Sequence, residues 1–379
     1  MSAESPATAP GLGGFVKSHL FPIVASALAL ASCFVVRPSR EYLHYFEPRT
    51  LVSLFCFLAV VRALESAHVI NELAEVTVRW LRSRRALIIG LVFLALVASM
   101  LITNDMALIA FLPLAYTALK NTGNLRYLAF TFVMMAVAAN LGGMITPFGS
   151  PQNLYLYQQF HIPFLEFLRV MSPPFLISVV LILAVSAAVR SKPVTPFDSV
   201  GTVDVRRAVL YALLFGIVVA IVLRVVPVWS GAIVIGALLL VDRAALRSVD
   251  YGLMLTFVAF FLLTGNIKQI HAVDTVLSDV LDGRVLVLSA LASQFISNVP
   301  TAFLFAPFTD NYQELLVGVN IGGVGTVIAS LASLIALRHY NQYQPGESRR
   351  FMRIFSIVNF GFLAVLLVSM QALFTSGAF

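Results

Sequence analysis

The sequence predicts an all-α polytopic membrane protein, and three observations lead to this class. Hydrophobic residues make up 59% of the 379-residue chain and charged residues only 11%, with a mean hydropathy of +0.92. A soluble protein would carry about a quarter charged residues. Apolar runs of roughly 15 to 25 residues, long enough to cross a bilayer as helices, recur from end to end. We therefore expect an integral protein of the cytoplasmic membrane whose main partner is the lipid bilayer.

The distribution of charge predicts the orientation. The net charge of +7 is explained by basic cytoplasmic loops and does not indicate nucleic-acid binding. Lys and Arg residues concentrate in the segments that face the cytoplasm when the N-terminus is inside and the C-terminus outside. Residues 1–18 are predicted to form a disordered tail before a retained first helix. Cys33 and Cys56 both fall in predicted spans, so a disulfide framework is not expected.

Two apolar stretches, residues 86–119 and 284–309, are each interrupted near the middle by a polar motif. The first motif reads "TND" (residues 103–105, the first tip) and the second "SNVP" (residues 297–300, the second tip). Irregular backbone at membrane depth is tolerated only where protein or a water-filled cavity supplies its hydrogen bonds. Each stretch is therefore predicted to be a re-entrant helical hairpin with the polar motif at its tip.

Two further helices, predicted over residues 126–160 and 311–338, are interrupted by Gly, Pro and polar residues. The interruptions read "ANLGGMITPFGSPQN" (residues 139–153, the first break) and "VNIGGVGTVIASLAS" (residues 319–333, the second break). The breaks share an Asn, two Gly, a Thr and a Ser at the same spacing: Asn140, Gly142, Gly143, Thr146 and Ser150 against Asn320, Gly322, Gly323, Thr326 and Ser330.

The predicted elements recur in one order along the chain. The first repeat covers residues 19–190 and the second residues 228–373, each with a hairpin followed by a broken helix. Residues 191–227 form a linker that contains one connecting span. An odd span between the repeats inverts the second relative to the first, which is the inverted-repeat plan of secondary transporters.

Asp105 is the only charged residue between Arg85 and Lys120, and there is none between Arg126 and Glu166, between Arg284 and Asp310, or between Glu314 and Arg338. An Asp near the membrane centre costs roughly 2.5–3.5 kcal/mol on insertion scales, so it is expected to face a cavity or a partner. One interpretation is an N-cap for a half-helix that begins at Met106. The other is a titrating or cation-coordinating group.

The amides and hydroxyls of these elements are candidate ligands. Asn104 and Asn298 sit at the tips, and Thr146, Ser150 and Thr326 sit in the breaks. Half-helix N-termini favour an anion, whereas unwound carbonyls and helix C-termini favour Na⁺. Close helix packing is the alternative explanation of the Gly pairs.

An enzyme is not expected, because the sequence contains no HExxH, GxGD or GxSxG motif. All histidines lie at span ends or in loops, so no metal or haem cofactor is expected inside the membrane. A coupling ion, Na⁺ or H⁺, is the expected exception.

These motifs resemble the ion transporter superfamily, which includes arsenite permeases, citrate and divalent-anion:sodium symporters, and certain Na⁺/H⁺ antiporters. The resemblance covers about residues 49–373. It implies a scaffold and a moving transport unit, with substrate and coupling ions held between the tips and the breaks. It implies a first cluster of Asn104, Asp105, Gly149, Ser150 and Asn153, and a second of Ser297, Asn298, Gly325 and Thr326, with Na⁺ at Asn104, Asp105, Ser150 and Asn298.

The tips also depart from part of that superfamily. The dicarboxylate/sodium branch carries Ser-Asn-Thr at both tips, whereas this chain has Thr-Asn-Asp and Ser-Asn-Val. The loss of both Thr hydroxyls weakens a dicarboxylate interpretation, and Asp105 is closer to the arsenite-permease pattern. The chain is also short for the superfamily, so a reduced oligomerising scaffold is expected. A homodimer is one candidate oligomeric state.

The leading hypothesis is a secondary active transporter of a small anion or oxyanion, carboxylate-like or arsenite-like, coupled to H⁺ or Na⁺ by alternating access. A Na⁺/H⁺ antiporter is the alternative within transport, and an ion channel is the alternative outside it. The sequence leaves open the substrate, the coupling ion and its stoichiometry, and the direction of transport.

Overall fold

The computed structural model describes residues 20–39, 42–67, 81–194 and 205–377, and these residues are mostly helical. Within these ranges the one strand-like feature is an isolated bridge between Ser83 and Pro193. The α-helices, numbered here in chain order, are α1 Leu20–Val35, α2 Tyr42–Tyr45, α3 Pro48–Ser66, α4 Arg84–Leu101, α5 Asn104–Asn121, α6 Leu128–Gly142, α7 Pro151–Gln159, α8 Phe164–Ala187, α9 Val205–Val222, α10 Gly231–Val241, α11 Arg243–Arg247, α12 Tyr251–Lys268, α13 His271–Leu281, α14 Val285–Ile296, α15 Asn298–Phe305, α16 Tyr312–Ile321, α17 Leu331–Tyr343 and α18 Ser348–Thr375. The predicted all-helical class is confirmed.

Among the described residues, six helical segments are long and apolar enough to cross a bilayer. Five are α4, α8, α9, α12 and α18, and the sixth is Leu125–Ile145, which contains α6. Shorter apolar helices occur at Pro22–Val35, Val228–Val241 and Val285–Ile296. A helix satisfies its own backbone hydrogen bonds, so this content fits the predicted membrane protein. The predicted tail (residues 1–18) lies outside the described residues, as does most of the stretch before α4.

One predicted boundary is wrong in the first repeat. The sequence pattern predicts a separate interfacial piece over residues 161–170 before a span at 171–190. Instead, α8 begins at Phe164, directly after Pro163 in an extended conformation, and it continues through Pro173 and Pro174. A proline at the helix start removes no hydrogen bond that the helix needs, which suits Pro163 to this boundary.

The described helices fall into two compact units. The smaller unit consists of the described parts of Met1–Glu47 and Asp250–Val276, where α1 packs along α12 and Asn266 Nδ2 donates to Ser32 Oγ at 2.9 Å. The larger unit consists of the described parts of Pro48–Val249 and Leu277–Phe379. All predicted site residues lie in this larger unit.

Helix α6 occupies the centre of the larger unit, where α4, α5, α8, α17 and α18 all pack against it. Small residues allow the close approach. A Cβ added to Gly142 would lie 2.4 Å from Ser99 Oγ and 2.5 Å from the Leu96 carbonyl oxygen of α4. The close-packing explanation of the Gly pairs therefore holds at Gly142.

The larger unit contains two sets of helices with matching contacts. Helices α4 and α5 pack on α6, and α14 and α15 pack on α16. The two sets also contact each other. Helix α5 packs on α17, which follows the second break, and α15 packs on α7, which follows the first break. Stacked rings mark both crossings: Tyr116 lies on Tyr343 (centroids 4.0 Å apart) and Tyr155 on Phe303 (3.7 Å). This crossed packing brings both tips and both breaks together, while the inversion of the repeats across the membrane stays a prediction.

Candidate functional site at two tips and two helix breaks

The first tip is a sharp turn between α4 and α5. Thr103 is extended and its Oγ1 accepts from Met106 N, so Thr103 caps a helix that begins at Asn104. The interpretation of Asp105 as the N-cap is therefore wrong. An N-cap must lie outside the helix with extended backbone, whereas Asp105 is half-buried in the first turn, where the helix dipole favours a negative charge.

Asn104 ties the first tip to the first break. Its Oδ1 accepts from Asp105 N at 3.1 Å, and its Nδ2 donates to Asn140 Oδ1 at 3.0 Å. Its backbone N–H donates to the Gly149 carbonyl at 3.3 Å. A Cβ at Gly149 would lie 2.4 Å from the Gly143 carbonyl oxygen, so only glycine fits there. The structure thus places the predicted residues Asn104 and Gly149 together.

The second tip turns on a single residue, Ser297, which has a φ of +73°. A non-glycine residue in that region is strained and persists only where its surroundings hold it. Ser297 Oγ donates to the Ala329 carbonyl in the second break at 3.2 Å. Asn298 Oδ1 accepts from Val299 N at 2.9 Å, as Asn104 Oδ1 does from Asp105 N. Both tips are therefore bonded to their breaks, through different atoms.

The threonines shared by the two breaks have the same role. Thr146 Oγ1 donates to the Met100 carbonyl, and Thr326 Oγ1 donates to the Gln294 carbonyl, both at 2.8 Å. Met100 and Gln294 each lie one helical turn before the Asn of their tip. The threonines therefore hold each break against the first arm of its hairpin.

Two amide side chains hold the unwound backbone of the breaks. Asn153 Nδ2 lies within 3.1–3.2 Å of the carbonyl oxygens of Gly143, Met144 and Thr146. Asn153 is fully buried with its donor group shared among these carbonyls, so it shapes the first break.

Gln294 does the same for the second break and was missed by sequence reasoning. Its Nε2 donates to the carbonyls of Gly322 (2.9 Å) and Val324 (3.2 Å), and its Oε1 accepts from Thr326 N (2.8 Å). Gly325 has a φ of +125°, and an added Cβ would lie 2.1 Å from Gln294 Oε1. The available signal is a glutamine in an apolar run, four residues before the tip residue Asn298.

Asn140 and Asn320 connect the two breaks to each other. Asn140 Nδ2 donates to the Gly323 carbonyl at 3.3 Å, and Ser330 Oγ donates to Asn140 Oδ1 at 2.6 Å. In the other direction, Asn320 Nδ2 donates to Asn153 Oδ1 at 2.6 Å. The aligned breaks pair these two asparagines in the sequence, but neither is among the predicted site residues.

The electrostatics of this network come from helix ends. Helices α5, α7, α15 and α17 all begin at the tips or breaks, and each contributes partly positive N–H groups there. Asp105 is the one charged side chain of the tips and breaks. Within the described ranges, no three His, Cys, Asp or Glu side chains are grouped as metal ligands. The arrangement suits an anion, or a cation held by oxygens near Asp105.

A cavity of about 320 Å³ lies elsewhere in the larger unit, lined by Leu165, Glu166, Arg169, Val170 and Gln313. None of these residues belongs to the tips or breaks.

Gln294→Leu should destabilise the protein by about 3 kcal/mol, because the break carbonyls and Thr326 N lose their partner and each buried unsatisfied group costs roughly 1–3 kcal/mol. Thermal unfolding of the purified protein in detergent measures the effect. The matched control is Gln159→Leu, since Gln159 is exposed at the end of α7. Equal unfolding temperatures for the two variants would contradict the assigned role of Gln294.

Comparison with known proteins places these features in context. Residues 15–336 match the model of a family described as "Citrate transporter" (CitMHS). The chain is 31% identical over 338 residues to an uncharacterized transporter of Methanocaldococcus jannaschii, covering 88% of this chain and 91% of the relative. It is 29% identical over 317 residues to the inner membrane protein YbiR of Escherichia coli, covering 82% and 84%.

A solved structure also resembles the fold. The crystal structure of the Alcanivorax borkumensis YdaH transporter, described as having an unusual topology, matches with a TM-score of 0.51 and 14% identity. The match covers 94% of this chain and 98% of that chain. At this identity the similarity concerns the fold alone. The predicted resemblance to the ion transporter superfamily is confirmed by the family and its transporter relatives.

Proposed function

Because the chain belongs to the citrate transporter (CitMHS) family of membrane transporters, we propose that it is a secondary active transporter of a small anion or oxyanion. In this proposal the solute crosses the cytoplasmic membrane by alternating access, coupled to H⁺ or Na⁺. The observation that carries the proposal is the single hydrogen-bonded network formed by both tips and both breaks, at which four helices begin.

The choice of an anion rests on charge. The tips and breaks contain no Lys or Arg, so the positive potential is supplied by helix N-termini and amide donors. Such groups bind an anion without the large desolvation cost of a buried basic side chain. A carboxylate or oxyanion is therefore the class of solute that these groups suit best.

The crossed packing supports alternating access. Each hairpin's second arm contacts the broken helix of the other set, as the Tyr116–Tyr343 and Tyr155–Phe303 stacks show. The four elements that hold the solute would therefore move as one body. This is the behaviour expected of a transport unit that carries a central site between two faces.

Solid-supported-membrane currents from proteoliposomes test the proposal. Concentration jumps of citrate, malate, succinate and arsenite at fixed Na⁺ and pH are expected to evoke a transient current or stimulate uptake for at least one solute. Empty liposomes are the control. Failure of every anion to evoke either response would overturn the proposal.

Asp105 favours Na⁺/H⁺ exchange as the second candidate function, because it is the one acidic side chain of the tips and breaks. In that case Na⁺ jumps alone would evoke current and pH change, and no anion would be required. The same proteoliposomes distinguish the two functions.

The inverted repeats predict opposite faces for two exposed positions, one at the end of α5 and one in the loop before α16. In a background without Cys33 and Cys56, Asn121→Cys should react with an impermeant maleimide only from the cytoplasm, and Asp310→Cys only from outside. Both positions are exposed in the structure, so labelling reports sidedness rather than burial. Labelling of both from one side would contradict the predicted topology.

A further inference from the structure

The two breaks are not bonded alike, although they share the same residues. In the network around Asn140, the side-chain oxygen Oδ1 is satisfied twice, by Asn104 Nδ2 at 3.0 Å and by Ser330 Oγ at 2.6 Å. We call this set of three residues the closed half. It contains a tip asparagine, a break asparagine and the serine at the start of a half-helix.

The counterparts of the closed half are Asn298, Asn320 and Ser150, which we call the open half. Asn320 is 1% exposed and Ser150 is 2% exposed. Even so, Asn320 Oδ1 and Ser150 Oγ have no hydrogen-bond partner among the described residues. The hydrogen bonds of the Asn298 side chain fall on Oδ1, which leaves its Nδ2 donor available. Buried polar atoms are nearly always bonded, so the unpaired atoms of the open half mark it as a candidate site for an occupant.

The orientation of the open half follows from its neighbours. Three carbonyls surround Asn153 Nδ2, so the Asn153 Oδ1 atom must face Asn320. Asn320 must in turn present its Nδ2, which also donates to the Leu316 carbonyl at 2.7 Å. These contacts determine which amide atom is oxygen and which is nitrogen. The unbonded Asn320 atom is therefore an acceptor, and only a donor satisfies it.

We propose that the open half is a subsite for a hydroxyl group of the transported solute, with Asn320 as its specificity-determining residue. The proposal rests on the proposed transport function. A hydroxyl both donates and accepts, so it gives its proton to Asn320 Oδ1 and accepts from Ser150 Oγ or Asn298 Nδ2. An ionised carboxylate only accepts and leaves Asn320 Oδ1 unpaired. The subsite therefore selects hydroxyl-bearing anions and oxyanions over analogues without the hydroxyl.

The selection is expected to be large. A site that hydrogen-bonds a solute hydroxyl rejects the analogue lacking it, because its buried polar atoms then stay unpaired. One unpaired buried acceptor corresponds to about a 10- to 100-fold loss of affinity. An ordered water could also bond to Asn320 Oδ1 and Ser150 Oγ, but a subsite occupied by water would not distinguish hydroxylated solutes from their analogues.

Matched pairs of acids test the proposal on the full chain in nanodiscs. The pairs are citrate with tricarballylate, malate with succinate, and lactate with propionate, which differ by one hydroxyl. Arsenite is added because its protonated form at neutral pH, As(OH)₃, carries hydroxyl ligands only. Ligand-dependent thermal stabilisation gives the apparent affinities. Wild-type protein should bind the hydroxylated member of the recognised pair at least about 10-fold more tightly.

Two serine variants compare the halves. Ser150→Ala removes a hydroxyl that bonds to no described group, so the fold should be kept while the preference for the hydroxylated acid, or the affinity for arsenite, falls about 10-fold or more. Ser330→Ala breaks the bond to Asn140 in the closed half, so it should lower the unfolding temperature and keep the preference.

The outcomes separate the two proposals. Equal binding of both members of a recognised pair, or equal loss of preference in Ser150→Ala and Ser330→Ala, overturns the hydroxyl subsite and leaves the transport function standing. If no solute of the panel binds or evokes a current, the transport function fails and the subsite fails with it.

Discussion

Asn104→Ala and Asn298→Ala should each lower the initial rate of uptake by about 10- to 100-fold while the protein stays folded. Asn104 joins the first tip to Asn140, and Asn298 shapes the second tip through Val299 N. Each change removes an amide from the site and leaves buried polar atoms unpaired, at a cost of roughly 1–3 kcal/mol. Uptake of the solute found by the current measurements, in proteoliposomes, gives the rates.

Asn121→Ala is the matched control for these two variants, because Asn121 is exposed at the opposite end of α5 from Asn104. It should transport like the wild type. Size-exclusion profiles verify that all three variants fold. Near-normal uptake by Asn104→Ala or Asn298→Ala would show that the corresponding tip does not form the site.

Asp105→Asn should abolish the dependence of uptake on pH or on Na⁺ without unfolding the protein. A low-dielectric site favours the protonated acid, and a bound Na⁺ favours the carboxylate, so one residue can make the two cations compete. The helix does not depend on this carboxylate, because Thr103 provides its cap. The neutral amide keeps the shape of the side chain and removes its titration.

Initial uptake over a pH series, with and without a Na⁺ gradient, measures this coupling. Asp310→Asn is the control, since Asp310 is exposed in the loop before α16 and should keep the wild-type profile. If Asp105→Asn also keeps that profile, Asp105 does not couple transport to either ion. If Asp105→Asn instead loses the dependence on pH, the coupling ion is H⁺. If it loses the dependence on Na⁺, the coupling ion is Na⁺.

The parts of the site that were predictable are those that interrupt a local pattern. Asn104 and Asn298 stand out because an amide in a long apolar run costs energy unless it has a partner. Asp105 stands out because a charge in an apolar run is also costly. One of its two interpretations, as an N-cap, is wrong, because helix boundaries shift by one or two residues with local backbone geometry. Thr103, two residues earlier, takes the extended conformation that a cap requires.

The structural role of Gln294 was harder to predict. Its place in an apolar run does not show which groups it bonds, and burial alone does not distinguish it from Gln152 or Gln158, which are also buried. Its importance comes from the carbonyls of Gly322 and Val324, which lie 28 and 30 residues away. Asn153 performs the corresponding task in the first break, but it follows the carbonyls that it bonds, whereas Gln294 precedes them in the sequence. No single spacing rule therefore finds both residues.

The amino-acid sequence by itself determined that this is an all-helical membrane protein with two polar tips and two broken helices whose breaks carry no charge. Those properties are local, because the length of an apolar run and the placement of Gly, Pro and amides decide where a helix can span and where it must stop. Only the tertiary structure decided which polar atoms are satisfied. Asn140 meets Gly323 and Ser330, which lie 183 and 190 residues away, whereas the matching atoms of Asn320 and Ser150 stay open. The two breaks carry the same residues but form different hydrogen bonds, because the packing of the crossed helices places Asn153 between Asn320 and the first break. Contacts between residues far apart in the sequence determine this difference.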